Sequence, residues 1–224
     1  MRKRDELDYL AKEIIDCHKC TRLVKWREKV SVEKRASYVT EIYWGKPIVG
    51  FGDKQAQVLV LGLAPGAHGA NRTGRVFTGD RSGDWLYRAM HKAGLASQPE
   101  SISLTDGLTL RNAWVTSAVR CAPPANKPTP AERKKCSSFL TRELALLTNI
   151  KVIICLGSFS FQAICDELEI RPRPKFGHGV VVAHTKYKII CSYHPSQQNT
   201  FTGKLTEKMF DSIFKTALEL ARLS

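Results

Sequence analysis

Short apolar runs alternate along this chain with longer segments of helical spacing. Val58-Leu59-Val60-Leu61, the stretch Asn112 to Val119, and Val152-Ile153-Ile154-Cys155-Leu156 are the apolar runs. Their length predicts buried strands over about 57–63, 112–119 and 152–156. Gly179–His184 and Tyr187–Ser192 predict a hairpin. Leu7, Leu10, Ile14 and Ile15 predict a helix over 5–16, and Ser82 to Met90 predicts another that stops at Gly94. Thr129-Pro130, a cap followed by a first-turn proline, opens a helix that passes Cys136 and ends near Asn149. Further helices follow Gly157-Ser158 to about Leu168 and span about 204–223. Residues 21–40 are dense in Lys and Arg with little periodicity; they read as an exposed basic segment, either a solvated face or a DNA contact. Residues 95–111 read as irregular. Strands alternating with helices predict an α/β fold, an open and mostly parallel sheet with helices on both faces.

The polar loops follow the strands, after Leu63, Val119, Leu156 and Tyr193. In open α/β sheets ligands bind outside the carboxyl ends of the strands, so these loops converge on one crevice. The stretch Gly62 to Asp80 stands out, with five glycines among His68, Asn71, Arg72, Thr73, Arg75, Thr78 and Asp80. Glycines let backbone approach a ligand, and long structureless loops in compact domains are usually functional. Asp80 either faces the crevice or caps the helix that begins near Ser82, and both roles can hold at once. His194, in His194-Pro195-Ser196 at a strand end, is positioned to face the crevice from the opposite side.

Charge narrows the partner. Against 21 Asp and Glu stand 35 Lys and Arg, a formal net charge of +14 over 224 residues, which points to a polyanion, nucleic acid before membrane. No apolar window reaches the roughly 18 residues of a transmembrane helix. The charged N-terminus, Met1-Arg2-Lys3-Arg4, lacks the apolar core of a signal peptide. A soluble, cytoplasmic, DNA-associated monomer of one domain, 1–224, is the expectation, and its seven cysteines are expected to be reduced.

Cys17-x2-Cys20, Cys121 and Cys136 form a candidate metal set. Four thiolates suit a tetrahedral zinc or an iron–sulfur cluster, and the spacing does not separate the two. Cys155, Cys165 and Cys191 lie in apolar or helical runs and read as small buried hydrophobes.

Gly62-Leu63-Ala64-Pro65-Gly66-Ala67-His68-Gly69-Ala70-Asn71-Arg72-Thr73-Gly74-Arg75 through Asp80, Val119-Arg120-Cys121-Ala122-Pro123-Pro124, and His194-Pro195-Ser196 through Thr206 resemble the family 5 uracil-DNA glycosylases, from Cys17 to Thr206. The resemblance implies a four-stranded, mainly parallel sheet sandwiched by helices, and a [4Fe-4S] cluster on Cys17, Cys20, Cys121 and Cys136. It implies base flipping from damaged, double-stranded DNA, single-stranded DNA being left open. The N-glycosidic bond of uracil is then hydrolysed to leave an abasic site. Gly66, Ala67, His68 and Asn71 would shape the backbone around the sugar and base, Phe77 would stack on the base, and Asn199 belongs to the 195–203 loop that would fill the vacated stack. Asp80 and His194 would be catalytic. Relatives in other families carry a polar or acidic water-activating residue early in the first motif, where this chain has Leu63, Ala64, Gly66 and Ala67; Asp80 resembles the acid proposed to substitute. Relatives also tend to carry Asn where Ser117 stands, and a hydroxyl lacks the paired geometry of an amide. The expected range therefore widens from uracil to hypoxanthine and other deaminated or oxidised bases. The rival readings are a weak or inactive iron–sulfur nucleic-acid-binding protein of the same fold and, with less support, a zinc-dependent hydrolase.

Overall fold

The computed structural model describes residues 6–223, so the charged run at 1–5 and Ser224 lie outside the described residues. Six strands form one sheet in the order β1-β3-β2-β4-β6-β5. β2 (Val58–Gly62), β3 (Ala113–Ser117), β4 (Val152–Leu156) and β6 (Lys188–Ser192) are the inner four and run parallel. β1 (Phe51–Gly52) and β5 (Val181–Ala183) lie antiparallel on the two edges. The four-stranded expectation thus describes the parallel core, and the full sheet has two more strands. β1 is two residues long and β5 belongs to the predicted hairpin; both cover what would be open sheet edges.

Every residue of β2, β3 and β4 is buried, as expected of strands covered on both faces. Alternate side chains serve the two sides. Val58, Val60, Val115, Ile154 and Ile190 pack with α4 (Arg81–Lys92) and α8 (Glu207–Leu223) through Leu86, Tyr87, Met90, Phe210, Ile213 and Phe214. Leu59, Leu61, Ile153, Cys155, Ile189 and Cys191 pack with α5 (Pro130–Leu146) and α6 (Ser158–Glu167) through Leu140, Leu144, Phe161 and Ile164. Cys155, Cys165 and Cys191 are buried in that second cluster, and burial pushes all three thiols up in pKa. α5 starts as its sequence dictates: the Thr129 hydroxyl accepts from Glu132 N and the Glu132 carboxylate accepts from Thr129 N, a reciprocal capping box. No helix of the described residues is long and apolar enough to cross a membrane.

The 21–40 reading requires correction. Thr21–Glu33 is a helix, α2, that follows α1 (Leu7–Ile15) and buries Leu23, Arg27 and Val30 along one face. The helical period is present, but an arginine occupies the middle of the inward stripe and hides it from a reading based on apolar residues.

A second buried arginine pins the end of β3. Arg120 Nη2 donates to Glu143 Oε2 at 2.6 Å, its Nη1 reaches the Thr116 hydroxyl, and Trp114 Nε1 donates to Glu143 Oε1 at 3.1 Å. Both charged side chains are 2% exposed. Truncating one partner strands a buried charge, so Glu143→Ala is expected to lower the unfolding free energy by about 3–5 kcal/mol. Urea denaturation checks this, and a loss below about 1 kcal/mol, the range of a surface pair, contradicts it.

Candidate active site

The carboxyl ends of the four parallel strands lie along one edge of the sheet, with Gly62 in register with Ser117 and Leu156 with Ser192. The Gly62–Asp80 loop leaves the central strand there. It is not wholly irregular: Ala70–Thr73 forms a short helix, α3, closed by Gly74 at φ +83°.

The second half of this loop is fixed at many points. Phe77 has φ +51°, a left-handed conformation that costs a non-glycine residue of order 1–3 kcal/mol and persists only where the surroundings impose it. Here the neighbouring backbone groups are held. Tyr87 Oη donates to Val76 O at 2.8 Å, Thr73 Oγ1 to Thr78 O at 3.1 Å, and Arg72 Nη2 to Gly79 O at 2.9 Å; Gly79 N donates to Ser101 O at 2.9 Å. Arg75 is 3% exposed and binds Thr78, Ser101 and the Asp106 carboxylate. The outcome is a Phe77 ring lying against Gly62, where any Cβ would overlap it, with its centroid 6.0 Å from that of His194.

Asp80 is the N-cap of α4, with Oδ1 accepting from Gly83 N at 3.1 Å. Its other oxygen lies over Gly66 and Gly69, and a Cβ on either glycine would press into that carboxylate. The glycines of the first motif therefore clear space for an acid supplied by the loop's far end. Burial raises the Asp80 pKa above the ordinary carboxylate value, against the helix-start amides of Gly83 and Ser82 that lower it.

His194 stands opposite, at the end of β6, with its Cβ 3.4 Å from where a Cβ on Gly157 would lie. Burial lowers its pKa to about 4, so the ring is neutral near pH 7. Among the described residues nothing hydrogen-bonds its ring nitrogens, while its carbonyl accepts from Asn199 Nδ2 at 2.9 Å. The 195–203 loop contains α7 (Gln197–Phe201), capped by Ser196. Gln197 and Gln198 are exposed, and Phe201 is 63% exposed under the Arg81 guanidinium, 4.4 Å from its ring centroid.

The remaining candidates divide. Ala67 and His68 are half-buried on the loop, and His68 Nδ1 meets Tyr43 Oη at 3.0 Å. Burial lowers the His68 pKa, helped by Arg35 and Arg72. Asn71 is fully buried; its Nδ2 donates to Arg27 O at 3.2 Å, so this amide joins the loop to α2. Ser117 is 2% exposed and its hydroxyl donates to Val119 O at 2.9 Å, which leaves it only as an acceptor. Tyr43 and Arg27 were missed, and Arg72 was noticed only as one polar group of the loop. Arg27 belongs to a charged run, and nothing in the spacing of either arginine marks it as buried.

Behind this edge, Cys17, Cys20, Cys121 and Cys136 line one small cavity with Leu23, Val119 and Phe139. Burial pushes the thiols of Cys20, Cys121 and Cys136 up, the latter two to about 11 and about 12. Among the described residues no three His, Cys, Asp or Glu groups cluster tightly enough to hold a single metal ion. Arg27 Nη1 donates to Cys121 Sγ at 3.1 Å. A buried cation hydrogen-bonded to one of four cysteines that share a cavity suits a centre that is anionic when filled, so the donor set fits the implied group.

The sequence of residues 49–218 matches the Uracil DNA glycosylase superfamily, and the chain belongs to that superfamily. Within it the type-5 branch is the near one. The type-5 uracil-DNA glycosylase of Mycobacterium bovis is 51% identical over 209 residues, 92% of this chain and 78% of that protein. The type-5 enzyme of Thermus thermophilus is 47% identical over 92% of this chain and 94% of its own length. The type-4 uracil-DNA glycosylase of Archaeoglobus fulgidus is 28% identical over 96% and 94%.

The Asp80 shift carries a sign. A folded-state pKa above the unfolded value means that ionisation at neutral pH works against folding, an effect absent below the unfolded pKa and present above the folded one. Asn caps a helix as well as Asp does. Asp80→Asn is therefore expected to raise the thermal midpoint at pH 7, with the gain disappearing towards pH 3. Asp80→Ala, which also loses the cap, should be about 1 kcal/mol less stable than Asp80→Asn. Calorimetry at the two pH values checks both, and a midpoint lowered by Asp80→Asn at pH 7 contradicts the account.

Proposed function

We propose that this chain hydrolyses the N-glycosidic bond of uracil in DNA, and of other deaminated bases such as hypoxanthine, with Asp80 and His194 as the reacting pair. The observation that carries the reading is their contrast: a half-buried carboxylate over Gly66 and Gly69, and a neutral histidine whose ring has no protein hydrogen bond among the described residues. Membership of the superfamily makes DNA the partner and base removal the reaction.

A base inside a duplex must first leave the stack, at a cost of a few kcal/mol. The net positive charge supplies sequence-independent phosphate binding, and duplex DNA is taken as the substrate. Phe201, exposed beside Arg81, is the apolar side chain suited to fill the vacated stack, while Asn199 holds the His194 backbone. Phe77 offers the stacking face. When the C1′–N bond breaks, its electron pair leaves with the base. His194 donates a hydrogen bond to the base oxygen that takes up this charge, and ionised Asp80 faces the cationic sugar and orients the water that adds to C1′. All of these groups come from one chain, which supports a monomer as the working unit. Ser117 retains an acceptor but no free donor, so it reads the base edge less strictly than an amide.

The [4Fe-4S] cluster is part of the proposal. Cys17, Cys20, Cys121 and Cys136 would hold it, and when bound it would act as a structural staple joining the segment before α2, the loop after β3 and α5. A purified wild type that is brown and contains iron supports this; a colourless zinc-loaded protein contradicts it.

Excision is tested with an end-labelled duplex holding one U·G or hypoxanthine·T pair, treated with alkali and run on a gel. Wild type should break the strand at the lesion, and Asp80→Ala and His194→Ala should slow the break by about 10²–10⁴-fold. Absence of a break with either base sinks the proposal. On the same substrates Ser117→Asn should shift the uracil-to-hypoxanthine ratio towards uracil; an unchanged ratio removes Ser117 from base selection.

A further inference from the structure

One of the four cysteines that line the small cavity, Cys121, accepts a hydrogen bond from a buried cation, Arg27. Arg27 lies in the middle of α2 and is 1% exposed. A buried guanidinium needs a compensating anion, because an unpaired charge in low dielectric is strongly disfavoured. The only carboxylate paired with it among the described residues is Glu28, at 3.7 Å and 54% exposed, a weak and solvated partner. The buried contacts of Arg27 run elsewhere. Nη1 donates to Cys121 Sγ at 3.1 Å and to Cys17 O at 3.2 Å, while Nε is buried without a partner. With neutral thiols the charge is left over. With thiolates around an iron–sulfur group it is matched.

Arg27 also reaches the other way. Its carbonyl accepts from Asn71 Nδ2 at 3.2 Å, and Asn71 N donates to Gly66 O at 3.0 Å. Gly66 is one of the two glycines beneath the Asp80 carboxylate. One residue therefore touches two of the four cysteines, Cys121 at its sulfur and Cys17 at its carbonyl, with its head, and the Gly62–Asp80 loop with its backbone.

We propose that Arg27 is the buried counter-cation of the four-cysteine centre, and that through Asn71 it ties that centre to the loop on which Asp80 rests. This rests on the iron–sulfur reading above. Arg27 is a positioning residue; it makes no contact with substrate. Hydrogen bonds to sulfur and net local charge set the properties of such centres, and partners behind the ligands typically change metal affinity by about 10–100-fold.

The test uses the full chain, purified without oxygen as wild type, Arg27→Gln and Arg27→Lys. Iron per chain, the rate of bleaching by an iron chelator and the reduction potential are measured. Arg27→Gln should bleach about 10–100-fold faster than wild type and show a more negative potential, because a nearby cation favours the more negative reduced state. Arg27→Lys, which keeps the charge, should lie near wild type in potential. Amide exchange of the wild type with and without its iron is read in parallel, and removal should speed exchange at residues 66–73 as well as around the cysteines. This arm decides the case if the variants do not fold. An Arg27→Gln protein with wild-type bleaching and potential, or exchange that changes only at the cysteines, overturns the proposal. A wild type without iron overturns the iron–sulfur reading itself.

Discussion

The functional edge of this protein is organised by the need to keep a carboxylate ionised although the protein covers part of it. Burial works against the charge of Asp80, and the surroundings offset that only in part, through the amides that start α4. Everything nearby follows from placing that group. Gly66 and Gly69 lack side chains because the carboxylate occupies their space. Phe77 adopts a left-handed backbone because Val76, Thr78 and Gly79 are held by Tyr87, Thr73 and Arg72. The sheet contributes direction: four parallel strands deliver Gly62, Ser117, Gly157 and His194 to one edge, so residues distant in sequence share one crevice.

Buried arginines are the second organising element. Arg27, Arg72, Arg75 and Arg120 are all below 10% exposed, so part of the large positive charge is internal structure and not surface. Arg75 and Arg120 have carboxylates, Asp106 and Glu143, that are also largely buried. Arg72 pairs with the more exposed Glu41 and stacks on Tyr38 at 4.0 Å. Arg27 alone of the four turns its head to sulfur. Loop, cavity and β3 end are thus cross-linked by guanidinium groups, whose planar set of donors suits several acceptors at once.

Much of this was legible from residue order. The apolar runs placed β2, β3 and β4, the predicted hairpin placed β5 and β6, Thr129-Pro130 marked the start of α5, and the glycines between Gly62 and Asp80 marked the loop. Both readings of Asp80 are compatible, since it caps α4 and lies over the motif glycines. What escaped was hidden for physical reasons. α2 was taken for an exposed basic segment because its inward stripe includes Arg27, and a charged residue counts as outward in any hydropathy pattern. β1 is too short to show a period. Asn71, Ser117 and Asn199 look like recognition groups by residue type, yet their donors go to Arg27, Val119 and His194 carbonyls; hydrogen-bond direction is a tertiary property.

The central claim is that catalysis rests on ionised Asp80 in a site where burial opposes the charge. It is tested most directly by the pH dependence of kcat/KM for uracil excision from duplex DNA. The account predicts an acid limb in wild type with its midpoint above the ordinary carboxylate value of 3.8, and a much lower, flattened profile in Asp80→Asn. A wild-type midpoint at or below that value, or an Asp80→Asn variant that keeps the wild-type rate and limb, would contradict it.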